Sequence, residues 1–335
     1  MLDISKPELK FALDAVRKAS ALVKTVQAEL VTAALTKDDR SPVTVADYAA
    51  QALIGRLLDD AFPDDPLVGE EDSTRLRTPE QAVVLERIVA FTGRVLPDAT
   101  PEAVCRWIDR GSADSGERYW TVDPIDGTKG FVRGDQYAVA LALVEGGVVQ
   151  LGVLGCPNLD VDYMRSDGKT ELTGGGGTLA AAARGEGTWI ADLGGGEFTR
   201  ACVSDRTDPA QARLLRSFET AHTNTGKIGE LVERLGVTAE PVGLDSQAKY
   251  ALLAAGRGDL LVRLLSSRQP DYREKVWDQA AGSIVVEEAG GRITDLHGRS
   301  LDFTAGRTLA RNRGLLASNG HLHAAALAAL ADIAA

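Results

Sequence analysis

Apolar side chains recur every three to four residues along two N-terminal stretches, the spacing expected of helices with one buried face. The first stretch covers residues 6–32 and the second covers residues 46–58, with a polar break at residues 36–42 between them. Residues 79–107 show the same spacing, interrupted near Gly93. The first third of the chain is therefore predicted to be mostly helical.

Short apolar runs separated by glycine-rich turns dominate the middle of the chain and predict β-strands. An extended run at residues 119–122 leads into a segment that contains proline and glycine. Three further runs follow at residues 137–144, 148–154 and 179–190. Because they are consecutive and joined by turns, we expect them to be antiparallel neighbours in one sheet.

A change of rhythm near residue 204 indicates a domain boundary. Beyond it, helical and strand-like segments alternate up to an alanine- and leucine-rich helix predicted from about His321. A chain of 335 residues is long enough for two domains. We predict an α+β domain with an antiparallel sheet over residues 1–205 and an α/β domain over residues 206–335.

Composition and charge narrow the class of protein. The formal charge of −11 argues against nonspecific binding to nucleic acids or anionic membranes, since both need a basic surface. An anionic substrate is still compatible, because a bound metal ion reverses the local field. Three widely separated cysteines do not form a disulfide framework, and the chain shows neither a signal-peptide pattern nor a membrane-spanning run. We expect a cytoplasmic protein with a small-molecule partner and no obligate protein partner.

The segment with the most chemical information is WTVDPIDGTKGF at residues 120–131. An extended run ends at Asp123 and Pro124 restricts the backbone, so Asp123 and Asp126 are expected to converge around a tight turn. Two converging carboxylates repel each other unless a cation lies between them. Mg²⁺ prefers carboxylates, backbone carbonyls and water, and the carbonyl of Ile125 can join the pair. A magnesium site is therefore predicted here.

Gly127 and Thr128 are expected to begin a helix beside this site. The free N–H groups and the positive dipole end of such a helix suit a phosphate group. The alternative is a surface turn, with Asp126 and Gly127 as turn residues and Asp123 as a cap. That alternative is the better one for an isolated Asp-Gly pair, and the weaker one for the whole segment after a strand.

Three other acidic residues lie at predicted element boundaries. Glu70 follows a short apolar run, Asp278 follows Trp277 and precedes a predicted helix, and Asp47 lies at the start of the second helix. Each also has a structural interpretation: an acidic turn for Glu70, an N-cap for Asp278 and helix-start electrostatics for Asp47. Only their combination with the central pair favours metal ligation. Asp47 would then orient or deprotonate the attacking water.

The acidic segments resemble, in order and spacing, the signatures of the inositol monophosphatase superfamily. These segments are Glu70-Glu71, residues 123–128 and Trp277-Asp278. Longer segments resemble the branch of that family formed by the 3′(2′),5′-bisphosphate nucleotidases. They are SPVTVADYAAQ at 41–51, WTVDPIDGTKGFVRG at 120–134, LDSQAKY at 244–250 and EKVWD at 274–278.

The resemblance implies a fold and a metal site. The fold is the layered αβαβα sandwich of the inositol monophosphatase and fructose-1,6-bisphosphatase type, with the site between the two domains. The activity is that of a lithium-sensitive, magnesium-dependent phosphatase with two or three Mg²⁺ ions. Carried over residue by residue, the metal ligands are Glu70, Asp123, Asp126, Asp278 and the carbonyl of Ile125. Asp47 and Thr128 become the catalytic pair that activates water, joined by a hydrogen bond.

The same resemblance assigns residues to the substrate. Together with the helix start, they are Gly127, Thr128, Glu219, His222, Asp245, Ser246, Lys249 and Arg263. Lys249 and Arg263 are cations in an acidic chain and suit a second phosphate, although solvated charges are an alternative for each. The segment at residues 263–272 is longer than the family pattern, so Arg268 competes with Arg263 for this role.

The implied reaction converts adenosine 3′,5′-bisphosphate to AMP and phosphate, and extends to the sulfated analogue, as in sulfur assimilation. One alternative within the superfamily is an inositol phosphate or polyphosphate phosphatase. An alternative from a different class is an inactive protein that senses nucleotide or metal. Metal-dependent release of phosphate separates the last from the other two.

Overall fold

The computed structural model describes residues 2–31, 41–166, 171–217, 225–266 and 269–333. Helices, two sheets and short turns make up this part of the chain. The helices are α1 Pro7–Val26, α2 Ser41–Ala61, α3 Ala82–Thr92, α4 Pro101–Asp109, α5 Thr128–Arg133, α6 Val161–Arg165, α7 Thr225–Leu235, α8 Ala248–Ala254, α9 Ala280–Glu288 and α10 His323–Asp332. A π-helical turn, Gln27–Val31, extends α1, and none of the described helices is long and apolar enough to cross a membrane.

The first sheet has seven strands in the order of the sequence. Its first pair is parallel and the remaining pairs are antiparallel. The strands are β1 Leu67–Gly69, β2 Arg118–Asp126, β3 Ala138–Glu145, β4 Val148–Cys156, β5 Thr178–Ala183, β6 Gly187–Asp192 and β7 Thr199–Ala201. This confirms the predicted antiparallel neighbours, except that residues 179–190 form two strands instead of one.

The second sheet has five strands in the order β11-β12-β10-β8-β9. Its strands are β8 Leu214–Arg216, β9 Val242–Gly243, β10 Leu260–Arg263, β11 Arg292–Thr294 and β12 Leu315–Ser318. The two sheets lie on either side of the predicted boundary at residues 205–206. The division into two domains itself stays a prediction.

Alternation along the strands decides how the layers pack. In β3, Val139 and Leu141 face the core beneath α1 and α2, whereas Ala138 and Ala140 face α8 and α9. Small residues on that second face let a helix approach closely: a Cβ on Gly152 of β4 would lie 2.8 Å from the carbonyl oxygen of Ala281. The many alanines therefore serve close helix–sheet packing.

The layers follow the order helices, sheet, helices, sheet, helices. Helices α1 and α2 cover one face of the first sheet, and α8 and α9 lie between the sheets. Helices α7 and α10 cover the outer face of the second sheet. This arrangement confirms the predicted αβαβα sandwich.

Two predicted helix starts differ from the structure, by about five residues for the second helix and by two residues for the helix after Asp278. The second helix begins at Ser41, not near residue 46, because proline is tolerated in the first helical turn and Pro42 does not break the helix. Asp47 is therefore in the second turn of α2, so helix-start electrostatics do not explain it. Helix α9 begins at Ala280, with Gln279 before it, and Asp278 is not its cap.

The buried side chain of His323, away from the acidic cluster, is expected to make the stability of the protein depend on pH. The ring is 1% exposed, with Nε2 3.0 Å from Thr294 Oγ1 and Nδ1 2.9 Å from Ser318 Oγ. Burial, with the nearby Arg292, lowers the pKa of His323 to about 4. The unfolded chain, with a pKa near 6.5, then binds the proton first as the pH falls. We expect a loss of up to about 3 kcal/mol of unfolding free energy between pH 6.5 and 4 from this group.

The measurement is chemical denaturation across that pH range. His323→Gln should remove the contribution of His323 to the slope of the unfolding free energy against pH. His321→Gln, at an exposed position of the same segment, should keep that contribution. An unchanged slope in His323→Gln would contradict the account.

Candidate active site between the two sheets

The parallel pair β1 and β2 brings two acidic residues to one edge of the first sheet. Gly69 is paired with Val122, so the next residues along the two strands, Glu70 and Asp123, emerge at the same end. Ligand sites in α/β folds commonly lie beyond the carboxyl ends of parallel strands. The register, which the sequence did not reveal, explains why residues 53 positions apart meet here.

A β-bulge places the second aspartate. The register with β3 shifts between Asp123 and Asp126, and Asp126 is again paired with Ala138. Pro124 lies inside this bulge, where its missing N–H costs no ladder hydrogen bond. The predicted end of the strand at Asp123 was therefore wrong: strand β2 continues to Asp126, and the turn follows at Gly127.

Gly127 joins the strand to helix α5. It has a φ of 90°, which favours glycine, and a Cβ there would lie 2.8 Å from the Cβ of Ser246. Thr128 then begins α5, as predicted. Asp126 Oδ2 accepts a hydrogen bond of 2.6 Å from the backbone N–H of Gln247. The first sheet thus contacts the segment that begins α8.

Asp47 and Asp123 carry buried oxygens that lack protein partners. Asp47 is 5% exposed and Asp123 2% exposed. The Oδ1 atom of each accepts no hydrogen bond from the described residues. An unsatisfied buried carboxylate is costly, and the cost falls when a cation or a bound water takes the free lone pairs.

Burial and mutual repulsion govern the protonation of the acidic cluster. Burial raises the pKa of Asp123 well above its ordinary value, and the charges of Glu70, Asp126 and Asp278 raise it further. Burial, with Glu71 and Asp126, raises the pKa of Glu70 to about 7. The cluster therefore needs positive charge to be fully ionised at neutral pH.

Asp278 approaches the same cluster from the second half of the chain. It lies two residues before α9 and lines the same cavity as Asp126. Burial raises its pKa well above the ordinary value, and Asp126 adds to the shift while Arg263 opposes it.

A divalent cation fits this donor set. Oxygen donors of this kind are the ligands that Mg²⁺ prefers, and unpaired buried oxygens mark where a cation would bind. Among the described residues, no three acidic, histidine or cysteine side chains already form a coordination group. The exact ligand set therefore stays a prediction.

A cavity of about 1200 Å³ extends from the acidic cluster into the second half of the chain. Asp126, Gly127, Thr128 and Asp278 line its acidic end. Apolar side chains of α7 and its surroundings line the far wall: Leu214, Ile228, Val232, Val237, Ala239, Pro241, Leu261 and Val262. The cavity is therefore charged at one end and apolar at the other.

Two cations also line the cavity, and the charges of both act on Asp126. The Lys249 ammonium is buried and donates to Ser217 Oγ at 3.1 Å and to the carbonyl of Leu244 at 3.2 Å. Burial lowers its pKa to about 8, against the attraction of Asp126 and Asp245. Arg263 Nε lies 3.0 Å from a carboxylate oxygen of Glu274. Lys249 is buried, so the solvated alternative is wrong for it, whereas the Arg263 side chain is 32% exposed and its role stays a prediction.

Several residues of the site were not singled out from the sequence. Arg133 Nη2 lies 2.5 Å from Asp245 Oδ2 and joins α5 to the segment before α8. Gln247 Nε2 donates to the carbonyl of Trp277 at 3.0 Å. Lys129 lines the cavity and follows the Asp-Gly-Thr run, which was the one sequence signal available for it. Long-range pairs such as Arg133 with Asp245 leave no local pattern.

Some predicted residues are not placed by the structure. Glu219, His222 and Arg268 lie outside the described residues. Asp245 and Ser246 line the cavity, and their contact with substrate stays a prediction. Within the described part of the chain, no hydrogen bond joins Thr128 to Asp47, although α5 packs against α2. Their joint role is still a prediction.

An αβαβα sandwich with an acidic cluster between its two sheets is typical of one class of phosphatases. Residues 5–335 match the model of the inositol monophosphatase family, and the chain belongs to that family. Members of this family are metal-dependent.

Curated relatives are similar over nearly the whole chain. A 3′(2′),5′-bisphosphate nucleotidase of Schizosaccharomyces pombe is 40% identical over 330 residues, covering 93% of this chain and 91% of the relative. An enzyme with the same name from Emericella nidulans is 42% identical over 325 residues, covering 91% and 92%. A third, from Oryza sativa, is 40% identical over 343 residues, covering 97% and 94%.

Solved structures share the fold. An IMPase of Thermotoga maritima is 22% identical, with 98% of both chains covered and a TM-score of 0.62. An inositol monophosphatase from Anabaena is 21% identical, with 97% of this chain and 95% of that chain covered and a TM-score of 0.62. At this identity the likeness concerns the fold alone.

Proposed function

We propose that this protein is a 3′(2′),5′-bisphosphate nucleotidase, which converts adenosine 3′,5′-bisphosphate and water to AMP and phosphate. The observation that carries the proposal is one cavity lined by acidic residues, by two cations, Lys249 and Arg263, and by an apolar wall. It is supported by relatives about 40% identical over more than nine tenths of the chain that bear this name.

Glu70, Asp123, Asp126, Asp278 and the carbonyl of Ile125 would hold two or three Mg²⁺ ions. Bound Mg²⁺ supplies positive charge to the phosphoryl group and to the attacking and leaving oxygens. The buried carboxylates supply the matching negative charge in a place with little competing water.

Asp47 is the proposed base for the attacking water. Its unpaired Oδ1 is buried beside the cluster and can accept a proton. Burial, with Glu70 and Glu71, raises the pKa of Asp47 well above its ordinary value, which makes the carboxylate a better proton acceptor. Thr128 would orient the same water with its hydroxyl.

The substrate is proposed to lie along the cavity, with its two phosphates apart. The N–H groups of Gly127 and Thr128 would receive the scissile phosphate, and Lys249 and Arg263 the second phosphate. Asp245 and Ser246, together with Glu219 and His222, are proposed substrate contacts from the family resemblance.

The apolar far wall favours a nucleoside over inositol. A nucleobase buries apolar faces, whereas an inositol ring carries hydroxyl groups that lose water without partners against Ile228 and Val232. The sulfated analogue of the bisphosphate keeps the same base and phosphates, so we propose it as a second substrate.

A side-by-side assay tests the proposal. Phosphate release is measured from adenosine 3′,5′-bisphosphate, inositol 1-phosphate and inositol 1,4-bisphosphate, with Mg²⁺ and with EDTA. We expect kcat/KM for the nucleotide to exceed both inositol values by at least about tenfold, and EDTA to abolish release. Preference for an inositol phosphate would overturn the proposed substrate. Binding of the nucleotide without release of phosphate from any of the three compounds would indicate a sensor.

A further inference from the structure

Glu274 is a buried carboxylate that contacts two residues lining the cavity, Arg263 and Gln279. It is 3% exposed, and its Oε2 accepts a hydrogen bond of 2.8 Å from Gln279 Nε2. Gln279 Oε1 in turn accepts a bond of 2.5 Å from the hydroxyl of Tyr250. The other oxygen of Glu274, Oε1, faces Arg263 Nε at 3.0 Å. One carboxylate thus connects α8, the start of α9 and the end of β10.

Arg263 lies between two carboxylates but pairs with one of them. Burial alone would lower the pKa of Arg263, but Glu274 and then Asp278 outweigh burial and hold it above the ordinary value. Within the described residues the guanidinium forms an ion pair with Glu274 and none with Asp278 within 4.0 Å. The guanidinium carbon also lies 5.5 Å from the ring centre of Tyr272. Glu274 and Tyr272 therefore define where this cation stands.

An ion pair between Arg263 and Asp278 would impair the site. An arginine that pairs with a carboxylate occupies its lone pairs, often in a bidentate manner. If Arg263 paired with Asp278, that carboxylate would have fewer lone pairs for a cation, and the arginine would lie at the metal instead of beside the substrate. Both side chains line the same cavity, and the charge of Asp278 acts on Arg263, so the guanidinium lies within electrostatic reach of this second carboxylate.

We propose that Glu274 is a positioning residue that holds Arg263 away from Asp278. It thereby leaves Asp278 available to Mg²⁺ and Arg263 available to the second phosphate of the substrate. The proposal rests on the proposed function for the phosphate, whereas its effect on cation binding is independent of the substrate.

A purely structural role makes a different prediction. A buried ion pair that only stabilises the fold loses stability when one partner is removed, and weakens every substrate alike. If Glu274 positions Arg263, replacing Glu274 should weaken substrates that carry a second phosphate more than substrates that lack it. The effect of replacing Glu274 should also disappear when Arg263 is replaced as well. A double-mutant design distinguishes the two.

The test compares Glu274→Gln, Arg263→Met and the double variant. Glutamine keeps an oxygen for Gln279 but removes the charge. The first readout is the Mg²⁺ concentration at the midpoint of thermal stabilisation, which needs no activity. We expect Glu274→Gln to raise this midpoint about five- to tenfold, and the double variant to restore it to within about twofold of wild type.

The second readout is KM at saturating Mg²⁺. For Glu274→Gln we expect KM for adenosine 3′,5′-bisphosphate to rise about tenfold and KM for adenosine 3′-phosphate to change less than about twofold. Glu287→Gln removes an ion pair of 2.8 Å with Arg184 on the outer surface of α9, and it should leave both readouts unchanged.

An unchanged Mg²⁺ midpoint in Glu274→Gln, or equal losses on both substrates, would overturn the proposal. If Glu274→Gln does not fold, the double variant is compared with Arg263→Met, because removing both partners leaves no buried charge. A difference in the Mg²⁺ midpoint between the double variant and Arg263→Met would also overturn the proposal. Failure of the wild type to hydrolyse the bisphosphate would refute the proposed function, while the midpoints would still test Glu274.

Discussion

Asp123→Asn is expected to lower kcat for adenosine 3′,5′-bisphosphate by at least about a thousandfold while the protein stays folded. Asp123 is at the centre of the acidic cluster, 2% exposed, and the charges of four other acidic residues act on it. An amide offers one weaker donor oxygen to Mg²⁺ in place of a charged carboxylate. Steady-state phosphate release measures the loss. Asp64→Asn, at an exposed position of the same half of the chain, should keep normal turnover.

The same variant separates catalysis from folding. Burial and repulsion make an ionised Asp123 unfavourable without a cation. In EDTA, Asp123→Asn should therefore melt at or above the wild-type temperature, and Mg²⁺ should stabilise it much less than wild type. Near-normal turnover, or full Mg²⁺ stabilisation, would refute the placement of Asp123 in the metal site.

Gly282→Ala is expected to cost about 3 kcal/mol of stability, because helix α9 has no room for a side chain there. A Cβ at Gly282 would lie 2.0 Å from Cδ2 of Tyr250, which is buried and carries a hydrogen bond to Gln279. Tyr250 follows Lys249 on α8, so separating the two helices also moves the buried cation. We expect a higher KM for the bisphosphate in addition to the lower stability.

Urea denaturation measures the first effect and steady-state kinetics the second. Gly229→Ala is a matched control for stability, since a Cβ on this helical glycine would meet nothing within 4 Å. Alanine there should raise the unfolding free energy by about 0.5–1 kcal/mol. A Gly282→Ala variant as stable as wild type would show that α8 and α9 are not packed as described.

Local patterns predicted the elements better than their boundaries. Residues 179–190 were predicted to form one strand, but they form a hairpin of β5 and β6: Gly185 lies in the turn and Gly187 begins β6, both with positive φ. The sequence pattern predicted an element boundary near each of two prolines, Pro42 and Pro124. The structure accommodates the first in the opening turn of α2 and the second in a bulge of β2.

The central pair of acidic residues was predictable because it is local, whereas Asp47 and Asp278 were assigned through the family resemblance. Asp123 and Asp126 lie three residues apart in one segment, and Glu70 directly follows a strand. The supporting contacts are long-range: Arg133 and Asp245 are 112 residues apart. The pairing of Arg263 with Glu274 depends on where β10 ends relative to α9. No composition or spacing reveals such contacts, so the positioning residues emerged from the structure alone.

Hydrolysis of adenosine 3′,5′-bisphosphate in ¹⁸O-water, followed by identification of both products, tests the central claim most directly. Attack of water at phosphorus cleaves the bond between phosphorus and the 3′-oxygen, so the solvent oxygen must end in the released phosphate. The account predicts 5′-AMP without label and phosphate with one ¹⁸O, in the presence of Mg²⁺ and not of EDTA. Adenosine 3′-phosphate as product, label in the nucleoside, or undiminished release in EDTA would contradict it.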